Sequence, residues 1–416
     1  MLKKIRTEYE HFLSMPYNMR VLLITNMLYS LVLPVVEIFL AAYIMRFYNE
    51  TIYVALFQLA MYTGIILTSI TNGFLLKHFK IAHLYSFGIL LSGLVMASMM
   101  QIDHLSVAQL FLAGLLIGAA SGFFWTNRYL MTLNSTIDSN RNYFFGLESF
   151  FFTLSNIIVP FVIGAILAGI DGMRIGNMTF SIQTGYQIVT LIVFVLTIFA
   201  CISLSKGHYS NPTQKEFFYL KFHKLWNLQI VLAALKGLVQ GFLVTAPAML
   251  IMRYVGKEGS LGLIQGISGG LTALIVYLLG RFTQPKHRLV VFSVGLSVFL
   301  LGTIINGILL SAIGVIIFML CKVVFQPLHD LAYYPIMLKV IDVVSFKENR
   351  NPYAYILNHE FGLYIGRVIG LGIFILLALM VSEVFALRWS LIIVATIQML
   401  SIPLAKTIMK KSYQPI

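Results

Sequence analysis

Six ionisable side chains stand inside long apolar runs: Glu37 in LVLPVVEIFLAAYIM, Lys236 in LAALKGLVQGF, Lys322, His329 and Asp330 in CKVVFQPLHD, and Arg367 in GLYIGRVIG. Charges in such settings are paired, line a wet cavity or carry function. Two chemistries are open to them. Carboxylates in apolar surroundings titrate near neutral pH, so Glu37 or Asp330 could take up and release a proton and couple a transmembrane process to the proton gradient. An ammonium or guanidinium would instead hold an anionic solute; Lys236 and Lys322 are the candidates, with Tyr29, Gln240, Gln326, His329, Tyr333 and Tyr334 available for hydrogen bonds. The structural alternative is an internal ion pair, such as Lys236 with Asp330, that fixes helix packing. Nothing points to hydrolysis, since the sequence has no phosphate-cradling glycine loop and no His-Glu-x-x-His run, and an enzyme is not expected. The two cysteines, Cys201 and Cys321, both lie in apolar runs. No disulfide framework, metal site or cofactor is expected.

The elements that must position these groups are transmembrane helices. Of 416 residues 59% are hydrophobic and 11% charged, with a mean hydropathy of +0.88, which defines an integral membrane protein. A hydrocarbon core ~30 Å thick takes about 20 helical residues to cross. Twelve such stretches follow, at 20–46, 51–75, 83–101, 106–129, 143–169, 183–205, 227–253, 258–280, 289–306, 309–338, 355–380 and 385–405. The uncharged run from Leu289 to Cys321 would extend roughly 50 Å as one helix, so a turn is expected near Asn306 and Gly307. The first span lacks the small-residue cleavage pattern of a signal peptide and is kept as structure.

Orientation follows from the 29 Lys and Arg. With the N-terminus inside, 21 fall on the cytoplasmic side, five outside (Arg46, Arg174, Arg253, Lys257, Arg388) and three within spans. That bias puts both termini in the cytoplasm, and a multi-pass monomer in the inner, cytoplasmic membrane is expected. It also accounts for the net charge of +14 without a nucleic-acid partner. The longest connection, 206–226, reads KGHYSNPTQKEFFYLKFHKLW. Its aromatic residues are expected to rest at the lipid headgroups. It separates residues 1–205 from 227–416, and these halves echo each other. IMRFY at 44–48 recurs as IMRYV at 251–255, and NRN at 140–142 recurs at 349–351. Parallel six-helix repeats in a membrane surround a central transport site.

Twelve spans in six plus six, with a cytoplasmic central linker, resemble the major facilitator superfamily over essentially the whole chain. Its loop motif after the second span survives in part. GFLLKHFKIAH keeps Gly73 and the basic Lys77, His78 and Lys80, but Lys77 replaces the acidic position and Lys80 the second glycine. VPFVIGA in the fifth span is similar to the proline-glycine motif of the antiporter branch, through Pro160 and Gly164. The resemblance implies that the first, fourth, seventh and tenth helices line the central cavity, the fourth bringing Trp125 and Asn127. It also implies an inner gate, with Arg128, Arg141 and Glu148 in one half facing Arg350, Glu360 and Arg367 in the other. Solvated, static interfacial charges are the plainer reading of the same residues. Stripes of Gly114, Gly118 and Gly122, and of Gly262, Gly266 and Gly270, are expected to serve close helix packing.

The function these observations predict is secondary active transport, by alternating access, of a small polar and anionic solute coupled to protons. Proton-driven efflux of amphipathic compounds, a lipid flippase and a non-transporting sensor are the alternatives. Solute, coupling protons and membrane lipids are the expected partners.

Overall fold

The computed structural model describes residues 10, 12–101, 106–136, 138–175, 178–211, 216, 218–282, 287–350 and 352–412. Twelve long helical spans occupy them: α1 (Tyr17–Tyr48), α2 (Thr51–Leu75), α3 (Ile81–Met100), α4 (Val107–Ser135), α5 (Asp138–Ile170), α6 (Ile182–Ser205), α7 (Lys224–Tyr254), α8 (Glu258–Phe282), α9 (Arg288–Leu309), α10 (Ala312–Glu348), α11 (Pro352–Met380) and α12 (Glu383–Ser412). Eleven of these spans are apolar and long enough to cross a membrane; α8, at 25 residues, has the length as well. Among the described residues, the one departure from helical secondary structure is a two-stranded antiparallel ribbon between α5 and α6, where β1 (Arg174–Ile175) pairs with β2 (Met178–Thr179). Leu191, Phe199, Leu301 and Leu379 are among many large apolar side chains left exposed on the outside of the helices. Hydrocarbon covers such a surface, because the helices satisfy their own backbone polar groups.

Helix starts carry local signals. Ser106 caps α4 in a reciprocal box with Gln109, and the hydroxyls of Ser311 and Ser382 accept from Gly314 N and Phe385 N at the starts of α10 and α12. The α9–α10 turn falls later than the sequence predicts. Asn306 and Gly307 remain helical, and the chain reverses at Leu310, left-handed at φ 40°, followed by the Ser311 cap. Gly307 instead marks a close approach, since a Cβ there would stand 3.2 Å from the Arg388 carbonyl oxygen on α12. The echoed NRN runs also diverge locally. The first starts helix α5, whereas Asn349 in the second is a left-handed cap ending α10.

Small residues set the tightest helix pairs. On α4, Gly114, Gly118 and Gly122 face Phe57, Met61 and Ile65 of α2, and on α11 Gly366 and Gly370 face Ala234 and Leu238 of α7. A Cβ at Gly118 would lie 2.0 Å from the Met61 carbonyl oxygen, and one at Gly366 would lie 1.9 Å from that of Ala234. No side chain larger than hydrogen fits at those distances. Other packed pairs are α3 with α4 and α6, α1 with α5 and α6, and α9 with α10 and α12. Contacts between the two halves of the sequence run chiefly through α5 with α8 and α2 with α11. Gly262 meets Pro160 and Gly164 at the first of these, while Gly270 has open space beside it; Thr63 Oγ1 lies 3.2 Å from the Tyr364 hydroxyl at the second.

The linker is pinned to protein at both described ends. Tyr209 OH donates to Asn18 O at 2.8 Å, and Asn211 accepts from Ile81 N and donates to Leu76 O and Phe79 O. Further on, Phe222 packs against Trp226 and Tyr355. Among the described linker residues, Phe218 and Leu220 are the large apolar side chains left exposed.

Candidate functional site

A cavity of about 670 Å³ opens among α1, α5, α7, α8, α10 and α12. It exists because its helices are broken or bent around it. α1 is interrupted after Ser30; Pro34, which has no backbone N–H, precedes a π-helical turn at Val35–Phe39 that carries Glu37, and regular helix resumes at Leu40. α7 breaks between Leu243 and Ala246, ahead of Pro247. α10 holds two internal prolines, Pro327 and Pro335, both on the cavity wall.

Two charged systems occupy this wall. In the first, Lys236 Nζ on α7 donates to Asp330 Oδ1 on α10 at 2.6 Å and sits 4.3 Å and 4.1 Å from the ring centres of Tyr333 and Tyr334. His329 Nδ1 lies 3.2 Å from the same Asp330 oxygen, and Gln398 Nε2 of α12 lies 3.4 Å from His329 Nε2. The pair is thus neutralised and stacked within protein. In the second, Glu37 of α1 and Lys322 of α10 both reach the cavity. Neither forms a hydrogen bond or ion pair with a described residue.

The remaining predicted residues distribute as follows. Gln240 and Gln326 line the cavity, Gln240 also accepting from Arg367 Nη2 at 3.1 Å. Tyr29, Trp125, Asn127 and Tyr333 lie outside its lining. Tyr29 is buried, donates to Ser92 Oγ at 3.2 Å and packs on Phe124. Asn127 exchanges amide hydrogen bonds with Asn72 of α2 at 2.9 and 3.0 Å. Tyr333 meets His359 Nε2 at 2.6 Å. Among its described residues α4 supplies none to this lining; its glycine face is pressed against α2, and Trp125 and Tyr129 stand beside Arg128 of the same helix. In its place α5 and α8 contribute Thr153, Asn156, Gln265, Ser268 and Thr272. Sequence reasoning passed over these. Their signal was a row of uncharged polar residues at helical spacing within apolar spans.

The charges expected to face each other across an inner gate pair within their own halves. Arg128 Nε donates to Glu148 Oε1 at 2.8 Å and its Nη2 reaches Oε2, with Asn26 adding a hydrogen bond to Glu148 at 2.6 Å and Tyr85 one to Asn26. The guanidinium lies 5.1–5.5 Å from the ring centres of Trp125, Tyr129 and Phe152. Arg350 donates to Lys221 O and stands 3.6 Å from Glu348; Glu360 lies 3.8 Å from both Arg367 and His359 on its own helix. The side chain of Arg141 lies outside the described residues. Among the described ion pairs, those that bridge the sequence halves cluster at the opposite end, away from the linker. Arg46 Nη1 approaches buried Glu258 at 3.9 Å and Lys257 approaches Asp171 at 3.6 Å, while Tyr186 OH donates to Glu258 at 3.3 Å. Glu383 joins Arg253 at 2.9 Å and accepts from Ile52 N at 3.3 Å.

Twelve helices with broken members around a polar cavity are also the fold of solved membrane transporters, which match it over nearly their full length. The bacterial homologue of the human lysosomal transporter Spinster, in an inward-facing and unoccupied conformation, superposes with a TM-score of 0.63 at 14% identity, covering 96% of this chain and 98% of its own. The nucleoside transporter NupG does so with a TM-score of 0.65, at 14% identity and 96% and 100% coverage. In sequence, the uncharacterized protein YqgE of Bacillus subtilis (strain 168) is 21% identical over 376 residues, 88% of this chain and 84% of that protein. No protein-family profile matches the chain.

Proposed function

We propose that this protein is a secondary active transporter that moves a small polar solute across the cytoplasmic membrane by alternating access. The observation that carries the reading is the cavity with two opposite, unpartnered charges on its wall, Glu37 and Lys322, in a volume typical of small-molecule sites. Residues 1–205 and 227–416 act as two six-helix bundles that rock about the α2–α11 and α5–α8 contacts. The Arg46–Glu258 and Lys257–Asp171 pairs hold the outer end shut in the state described, in keeping with the inward-facing Spinster homologue among its structural neighbours. Lys322 contacts an anionic group of the solute. Glu37 carries the coupling proton; Asp330 is the weaker carrier, because Lys236 and His329 already occupy its carboxylate.

Purified protein in proteoliposomes with an internal pH dye, challenged with carboxylates, amino acids, nucleosides and amphipathic cations, tests this. A solute-driven pH change that Glu37→Gln abolishes is the expected result. A signal that survives in both Glu37→Gln and Asp330→Asn removes these two as carriers, and absence of flux for every solute class overturns the transport reading.

A further inference from the structure

We infer that the solute is a zwitterion, its ammonium held by Glu37 and its carboxylate or other anionic end by Lys322. The inference rests on the cavity being a transport site but not on proton coupling. Each charge in the cavity is either already compensated or not. Lys236 and Asp330 compensate each other at 2.6 Å, with His329 and the faces of Tyr333 and Tyr334 completing their surroundings. Glu37 and Lys322 are left, on helices α1 and α10, both facing the cavity and joined to nothing by a hydrogen bond or ion pair among the described residues.

Both line the same cavity, from α1 and from α10, and no ion pair joins them, so opposite charges face one shared space. A purely anionic solute on Lys322 would leave an ionised Glu37 carboxylate unpaired and repelling, and so would need a proton there as well. A purely cationic solute on Glu37 would likewise leave the Lys322 ammonium unpaired and repelling. Unpaired charges shut away from bulk water are strongly disfavoured. A solute bearing both signs leaves every charge in the loaded cavity opposed by its complement. Its ammonium takes the place of the proton on Glu37, so loading and proton release occur at one carboxylate.

The test uses the full-length protein in detergent and the series of ω-amino acids from glycine to 6-aminohexanoate, each matched to the carboxylate and the alkylammonium of the same chain length. Binding is read by thermal shift and calorimetry, and flux in proteoliposomes. At least one zwitterion of the series is expected to bind about tenfold or more tightly than both of its singly charged counterparts, the scale of one additional ion contact. Glu37→Gln should remove that preference while leaving carboxylate binding intact, and Lys322→Met should remove it while leaving alkylammonium binding intact. The unliganded unfolding midpoint of each variant, together with its retained binding, shows that it is folded. Carboxylates binding as well as their zwitterions, or no zwitterion binding at all, overturns the inference. If a carboxylate alone is transported, the transport reading survives that failure; if nothing is transported, both fall.

Discussion

Replacing Arg46 with Gln should open the end of the protein away from the linker. Arg46 sits in the last turn of α1, 22% exposed, with Asp171 at 2.7 Å and Glu258 of α8 at 3.9 Å; Glu258 is only 2% exposed. The Asp171 contact lies within the first half of the chain and persists in either state, so it cancels. The Glu258 contact crosses between halves and exists only when that end is shut. Coulomb's law at 3.9 Å and an effective dielectric of 20 gives a gross attraction of about 4 kcal/mol. The partial hydration of Arg46 reduces this to about 1–2 kcal/mol net. Because Glu258 would then be buried without its cation, the sign is unambiguous: the shut state loses that amount, and the open population rises ~5- to 30-fold. The assay is labelling of Ser268→Cys, on the cavity wall, by a membrane-impermeant maleimide added from outside, in a background lacking Cys201 and Cys321. Labelling should accelerate by that factor in Arg46→Gln. It should fall back toward the parent rate when Glu258→Gln is added, since the stranded carboxylate is then gone. Equal labelling rates in parent and Arg46→Gln would refute the assignment of these charges to a closed outer gate.

Glu148→Gln strands Arg128 among three aromatic rings, and should cost about 2–4 kcal/mol, seen as a lowered unfolding midpoint in detergent. External labelling of Ser268→Cys should be unchanged by it, because the pair joins α4 to α5 within one half. Asp330→Asn should destabilise more than the double variant Lys236→Met/Asp330→Asn, since only the single change leaves a buried ammonium without its carboxylate; thermal unfolding of the two variants and the parent decides it. Gly366→Val should give no stably folded protein, as its Cβ would stand 1.9 Å from the Ala234 carbonyl oxygen. Detergent gel filtration showing a normal monodisperse peak would contradict that packing.

Some of the site could be read from the chain and some could not, and the division has a physical origin. Glu37, Lys236, Lys322 and Asp330 stood out because a charge in an apolar run is rare enough to announce itself. Thr153, Asn156, Gln265 and Ser268 did not, because uncharged polar residues are tolerated anywhere in a membrane helix that finds them a hydrogen bond. Trp125 and Asn127 were placed at the cavity by resemblance to other transporters. In this chain Gly114, Gly118 and Gly122 draw α4 against α2, so Asn127 is spent on Asn72 instead. The α9–α10 turn was misplaced by a few residues because a small residue can end a helix or admit a neighbour, and Gly307 admits α12.

The sequence by itself determined that the chain crosses the membrane repeatedly and roughly where each crossing lies, since hydrocarbon thickness and backbone hydrogen bonding leave a helix of about 20 apolar residues as the only local solution. It also singled out the charges that stand inside apolar spans. Which charge neutralises which was decided only in three dimensions. Lys236 and Asp330 are 94 residues apart, and Arg46 and Glu258 lie in different halves. Pairing depends on the rotation and depth of helices packed through glycine contacts, and no local pattern encodes that. Tertiary structure therefore decided that, among the described residues, Lys236 is compensated, Glu37 and Lys322 are not, and the ion pairs bridging the halves lie at the end away from the linker.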